Sequence, residues 1–142
     1  MTYLDLLKEA KDKIDRFDAE IILGFVVNKN REKVFSNLNS FLNDEKANSF
    51  RKLVEKRKKG FPLAYITGKK GFWKSEFKVD SSVLIPRPET ELIVEEVLKL
   101  NLTNKTILEL GTGSGNISIS IMKEKPNVKI YATDKSLSLI HI

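Results

Sequence analysis

The run Glu109-Leu-Gly111-Thr-Gly113-Ser-Gly115 and the later Asp134 are the residues of this 142-residue chain whose types and spacing best suit chemistry. Alternating glycines let a backbone turn tightly and approach a ligand closely, and a helix starting behind them presents its positive end. Dinucleotide enzymes place the third glycine three residues after the second, as G-x-G-x-x-G. Here it follows after two, giving G-x-G-x-G. An acid at position 109, just ahead of the loop, is a poor neighbour for a pyrophosphate and a good one for a positive amino group. Asp134 lies 19 residues after Gly115, at the end of the next apolar run. A carboxylate at that place takes ribose hydroxyls in α/β sheets. A zwitterionic tail, a ribose and no phosphate describe S-adenosylmethionine. A nicotinamide dinucleotide is the second reading. A tight strand-to-helix connection with a solvated Asp134 is the third.

These residues need a strand before the loop, a helix behind it and a second strand ending at Asp134. Thr106–Leu110 is short and nearly continuously apolar, the pattern of a buried parallel strand. Residues 116–123 predict a helix carrying Ile117, Ile119, Ile121 and Met122. Pro126-Asn127 predicts a turn and residues 128–133 a strand. Together they form a βαβ unit of about 30 residues. Upstream, PRPETELIVEEVLKL predicts a helix with Pro88 in its first turn, acids near its positive end, and a stripe of Leu92, Ile93, Val97 and Leu98. Phe72, Phe77 and Val79 predict a hairpin, with Gly68 and Gly71 as turn points.

Residues 1–60 read as a small helical bundle. Thr2 with Asp5 forms a capping pair ahead of Leu4, Leu7, Ala10 and Ile14. Phe17, Ile21, Ile22, Phe25 and Val26 form a second apolar set. Asn30 caps a short helix through Val34, Phe35 and Leu38. Asn43 or Asp44 caps another, with Ala47, Phe50, Leu53 and Val54 on one face. That helix ends in Lys56–Lys59 and Gly60, the usual stop chemistry. The chain therefore divides into 1–60 (helical), 61–86 (a linker with a β-hairpin) and 87–142 (the start of a Rossmann-like domain), an α/β chain.

Composition excludes several classes of function. There is no cysteine and one histidine, His141, so thiolate sites, disulfides and multi-histidine metal sites are out. No apolar run approaches the roughly 18–20 residues that cross a bilayer, and the N-terminus lacks a secretory or transit pattern. The expected compartment is the cytoplasm. The net charge of +6 leans to residues 1–60, with fourteen basic and ten acidic side chains there. A basic surface permits a nucleic-acid or ribonucleoprotein partner, but no aromatics interleave the Lys56–Lys59 run.

Pro62-Leu-Ala-Tyr65-Ile-Thr-Gly68, Gly71-Phe72, Val83-Leu-Ile-Pro86-Arg87-Pro88-Glu89-Thr90-Glu91 and the ELGTGSG loop, in that order and spacing, resemble the release-factor glutamine methyltransferases of the HemK/PrmC type. The resemblance implies methyl transfer from S-adenosylmethionine to a glutamine side-chain amide in a Gly-Gly-Gln motif. It implies that Gly111, Thr112, Gly113, Ser114 and Gly115 cradle the cofactor's amino-acid part and that Asp134 holds its ribose. Glu109 would stand near the charged tail through water. Arg87 and Thr90 would lie close to the pocket, or else form a surface ion pair and a helix cap. Tyr65, Phe72 and Trp73 would pack. The helical residues would recognise an acidic release-factor surface through Arg51, Lys52, Lys56 and Arg57. A monomer with a protein substrate, no direct nucleic acid, no membrane and no metal is implied.

The family holds the glutamine amide with an Asn-Pro-Pro-Tyr segment after a later strand. Amide nitrogen is a poor nucleophile, so that chemistry depends on positioning. The 142 residues contain no such segment, and no catalytic residue is assigned. Two strands also cannot close a doubly wound sheet. The expectation is a truncated chain, inactive alone, with a non-native stretch from about Leu137 or Ser138 that includes His141, which is given no role. The alternatives are a methyltransferase for a ribosomal-protein glutamine or a nucleic-acid amino group, and a non-catalytic helical binding module.

Overall fold

The computed structural model of the chain describes residues 1–136, so the expectations for Leu137, Ser138 and His141 lie outside the described residues. The chain forms two compact units, residues 1–67 and the part from Gly68 onward. It is a mixed α/β protein.

The first unit is helical: α1 (Tyr3–Ala10), α2 (Arg16–Val27), α3 (Arg31–Phe35), α4 (Asp44–Lys58) and α5 (Leu63–Thr67). Side-chain caps set four of the starts. Thr2 and Asp5 close a reciprocal capping box, and Asp15, Asn30 and Asn43 accept from Phe17, Lys33 and Lys46 amides. Each satisfies an amide that a helix start leaves orphaned. The buried faces differ from the predicted ones. In α1 the buried set is Tyr3, Leu6 and Ala10 rather than Leu4, Leu7, Ala10 and Ile14. Leu7 and Ile14 only flank the core, and the helix ends before Ile14. In α2 the core takes Ala19, Ile22 and Leu23, while Phe17 and Phe25 stay about half exposed. Both turns of sequence are apolar, so periodicity alone does not choose the face. Gly24 lies among the buried residues of this helix, where a Cβ would meet the Lys29 carbonyl at 2.6 Å. Ala47, Phe50 and Val54 are buried on α4 as expected, and Gly60 follows that helix at φ +91°. Phe61-Pro62 breaks the chain direction, but α5 starts at once, and its Ile66 lies in the same core. These residues fall in the segment expected as linker, 61–86.

The second unit carries β1 (Lys69–Phe72), β2 (Ser75–Lys78), a 3-10 turn (Pro88–Thr90), α6 (Glu91–Lys99), β3 (Thr106–Leu110), α7 (Asn116–Glu124) and β4 (Lys129–Thr133). The antiparallel hairpin β1–β2 turns at Trp73-Lys74, between the paired Phe72 and Ser75. Gly71 is therefore a strand residue and not the turn point. Strands β3 and β4 run parallel, with Glu109 beside Ala132. The core gathers Phe72, Phe77, Val94, Ile121 and Val128, with Ile107, Ile117 and Ile130 packed on it. The stripe predicted on α6 is also corrected. Val94 is its buried residue, while Leu92 and Ile93 are mostly exposed, because the packing against α7 selects the 94–97–98 face. Nor is β3 buried on both faces: Leu108 is 62% and Leu110 76% exposed. No helix among the described residues is long and apolar enough to cross a membrane.

Candidate functional site: the glycine loop between β3 and α7

The loop leaves the end of β3 and enters α7 through three glycines with positive φ: Gly111 at 73°, Gly113 at 57° and Gly115 at 76°. A side chain strains such backbone, which is why glycine stands at all three places. The loop is fastened to β4 at its first two amides. Gly111 and Thr112 both donate to the carbonyl of Thr133, at 2.7 and 2.9 Å. The next amide, Gly113, donates to Asp134 Oδ2 at 2.9 Å. Gly115 then donates to the Thr112 carbonyl at 2.9 Å, closing the turn ahead of α7. So Gly111, Thr112, Gly113, Gly115 and Asp134 form one hydrogen-bonded assembly. Ser114 adds a bond from its Oγ to Asn116 Oδ1 at 3.1 Å.

Asp134 also accepts from the Ser136 amide on Oδ1 at 2.9 Å. The Ser136 and Gly113 amides hold its carboxyl below the usual carboxylate range. It stays anionic at neutral pH, with an acceptor lone pair left on each oxygen. Among the described residues, the amides of Ser114, Asn116 and Ile117 have no partner on the chain. They gather at the positive end of α7, suited to a carboxylate. Amide donors on one side and a carboxylate acceptor on the other fit an amino-acid tail and a ribose diol. This donor set suits S-adenosylmethionine better than a group with several phosphates, which the ionised Asp134 would repel.

Glu109 is tied into the fold through one carboxylate oxygen. Its Oε2 accepts the Ser118 amide at 3.2 Å, the Thr112 hydroxyl at 3.0 Å, and the Ser118 hydroxyl. The expectation for Glu109, a place near a ligand's charged tail through water, did not include Ser118. The signal was present: a helix whose cap position is glycine needs an acceptor from elsewhere.

Val83 forms a wall of the loop. It is buried, and a Cβ added at Gly113 would sit 3.3 Å from its Cγ2. The Val83–Glu91 segment thus begins against the glycine loop. Neither mundane role considered for Arg87 and Thr90 is realised. Arg87 makes no ion pair among the described residues, and Thr90, at the start of α6, makes no side-chain cap bond. Glu91 instead accepts the Trp73 amide at 2.7 Å, and the Trp73 indole N–H donates to Glu124 at 3.0 Å. Trp73 sits at φ 52°, rare for a bulky residue. It ties the hairpin corner to the first residue of α6 and the last of α7. Phe72 is buried and meets Phe77 edge-on at 6.2 Å. Among the described residues no group of three or more His, Cys, Asp or Glu could hold a metal.

Residues 3–68 match the PrmC N-terminal domain family. Over 138 residues the chain is 42% identical to the release factor glutamine methyltransferase of Dictyoglomus turgidum, covering 96% of this chain and 48% of that protein. The chain is similar to the release factor glutamine methyltransferases. The one from Coxiella burnetii is 43% identical over 133 residues, 92% of this chain and 48% of its own length. A bifunctional methyltransferase of Rickettsia conorii is 38% identical over 170 residues, 96% of this chain and 32% of its own length. The chain spans about half the length of the release factor glutamine methyltransferases it matches. The similarity runs through both units, the glycine loop included.

Proposed function

We propose that this chain carries the partner-docking unit and the cofactor-holding front of an S-adenosylmethionine-dependent methyltransferase acting on the Gly-Gly-Gln glutamine of peptide chain release factors in the cytoplasm. The observation that carries the reading is the Gly113–Asp134 bond. It sets a glycine loop with free amides beside an ionised carboxylate in a chain similar to release factor glutamine methyltransferases. In this reading β3, α7 and β4 open a Rossmann-like domain.

When bound, S-adenosylmethionine supplies an electrophilic methyl group on its sulfonium. The amides of Ser114, Asn116 and Ile117 hold the carboxylate of its amino-acid part. Asp134 accepts from the ribose hydroxyls. Gly111 and Gly113, lacking side chains, leave the backbone open to the ligand, and Thr112 anchors the loop from below. The resemblance gives the amide-positioning role to an Asn-Pro-Pro-Tyr segment that these 142 residues do not contain. The role proposed for them is therefore cofactor holding and docking.

Docking falls to the helical unit, and the four basic residues expected on its face differ in how free they are. Arg51 is committed to Glu9 through two nitrogens, and Arg57 to Asp18 at 2.6 Å and to the Phe61 carbonyl. Lys52 and Lys56 form no ion pair among the described residues and are exposed, as is Lys59 one turn further on. Positions 52, 56 and 59 share one helix face, a cationic stripe suited to an acidic protein surface.

The test is calorimetric titration of the whole chain with S-adenosylmethionine and S-adenosylhomocysteine. Saturable binding of both is expected, weakened about tenfold or more when Asp134 is replaced by alanine. No binding of either at millimolar ligand would end the reading.

A further inference from the structure

We infer that Glu109 is a positioning residue for the cofactor loop, acting through Thr112 and Ser118 and not through its charge on the ligand. The inference rests on the reading of the loop as a cofactor site.

An α-helix starts with four amides that have no partner inside the helix. An Asn, Asp, Ser or Thr at the cap position normally satisfies the third helical residue. In α7 the cap position is Gly115, which has no side chain, and the third residue is Ser118. The missing acceptor comes from β3: Glu109 Oε2 reaches the Ser118 amide at 3.2 Å. The amide of the cap residue itself, Gly115, is satisfied by the Thr112 carbonyl at 2.9 Å, and the helix's own ladder opens with Ile119 donating to the Gly115 carbonyl. Only the first two helical amides, Asn116 and Ile117, are left for a ligand. The four orphan amides are thus divided between the fold and the site, and Glu109 draws the division.

The same oxygen also holds the two ends of the loop together. It accepts the Thr112 hydroxyl from the loop's entry and the Ser118 hydroxyl from behind its exit. Thr112 and Ser118 are 6% and 5% exposed. Hydrogen bonds shielded from water in this way are costly to leave unmade. The carboxylate also lies at the positive end of α7, where a negative charge is favoured. The glycine loop is flexible by composition. Glu109 removes that freedom before a ligand arrives, which lowers the ordering cost of binding.

The experiment compares Glu109→Gln with Glu109→Ala in the whole chain. Glutamine keeps a carbonyl oxygen for Ser118 and Thr112 but has no charge. A positioning role predicts S-adenosylmethionine affinity within roughly threefold of the starting chain for Glu109→Gln, and a loss of about tenfold or more for Glu109→Ala. Equal losses in the two variants would show that charge on the ligand is what matters, and would overturn the inference. A second readout needs no ligand. Hydrogen exchange at the Ser118 amide should be slow in the starting chain and in Glu109→Gln, and fast in Glu109→Ala. Unchanged protection in Glu109→Ala would also overturn it. Should Glu109→Ala not fold, Ser118→Ala removes one hydroxyl and is expected to weaken binding roughly threefold, with no effect counting against the inference. If the starting chain binds no S-adenosylmethionine, the proposed function fails, while the exchange measurement still decides what Glu109 does to the loop.

Discussion

The backbone N–H of Gly113 donates to Oδ2 of Asp134 across 2.9 Å, although 21 residues separate them. The parallel pairing of β3 with β4 makes this possible. Both strands end on the same side, and the Thr133 carbonyl takes the two preceding loop amides before Asp134 takes the third. The carboxylate that would hold a ribose therefore also shapes the loop that would hold the tail.

Replacing Asp134 with alanine should weaken S-adenosylmethionine binding by about tenfold or more, since hydrogen bonds to a charged acceptor are lost. Replacement with asparagine should fall between. The carboxyl is held below its usual range by the Ser136 and Gly113 amides. A depressed carboxyl is ionised above its folded-state pKa, so its contribution is present at neutral pH and lost only as pH falls through that lowered value. Calorimetry between about pH 5 and pH 8 should show an affinity independent of this group. A titration of affinity near pH 6 that vanishes in the Asp134 variants would refute this.

Glu20 is fully buried, and Arg31 and Arg16 reach in to pair with it at 2.6 and 2.8 Å. Arg31 also lies over the rings of Phe17 and Phe35, at 4.9 and 5.4 Å. Removing both arginines would leave a buried carboxylate unpaired, which should cost about 3 kcal/mol. Arg31→Ala alone should cost more than Arg16→Ala, because Arg31 is the less exposed partner and covers two rings. Denaturant unfolding of the three variants measures this, and equal stabilities would contradict it.

Gly24 is required by a close approach. A Cβ there would lie 2.6 Å from the Lys29 carbonyl, which turns back over the end of α2 after Asn28 adopts φ 54°. Backbone cannot yield as a side-chain tip can, so Gly24→Ala should destabilise the helical unit by about 2 kcal/mol. A thermal melt within error of the starting chain would show that the turn relaxes freely.

The helical unit should weaken in acid. Asp5 is held below its usual range by its hydrogen bonds with Thr2, Glu9 by Arg51, and Glu55 by Lys13. Each folded-state pKa is depressed, so each contribution is complete at neutral pH and disappears as pH falls through the lowered values. Melting temperature should stay level down to about pH 5 and fall below about pH 4. Asp5→Asn should flatten part of that fall.

Charge reversal separates docking from folding on α4. Lys52→Glu with Lys56→Glu should weaken release-factor binding and leave the melt nearly unchanged. Arg51→Glu with Arg57→Glu should lower the melt, because those guanidiniums are tied to Glu9 and Asp18. Unchanged release-factor binding in the lysine pair would remove the stripe from the proposal.

Local rules made much of this chain readable from its residues. Thr2 with Asp5, Asn30 and Asn43 mark helix starts because an orphan amide needs an acceptor within three residues, which is a matter of neighbours in sequence. Strand β3, the glycine loop, α7 and β4 were readable for the same reason. The glycines announce positive φ, and they mark where the apolar run of β3 ends and that of α7 begins. The order of these elements, and the residue types around the candidate site, are determined by the sequence alone.

What the tertiary structure decided was direction. Whether Phe17 or Ile22 enters the core depends on which neighbour a helix meets, and both faces of α2 are apolar enough to serve. The short helix Leu63–Thr67 exists because α2 and α4 offer Ile66 a place to be buried, an effect no five-residue window contains. The hairpin turns at Trp73 because Glu91 and Glu124 hold that corner from two helices. Glu109 points at Ser118 and Thr112 because β3 lies beneath the start of α7. In each case the deciding partner is distant in sequence, and only folding brings it near.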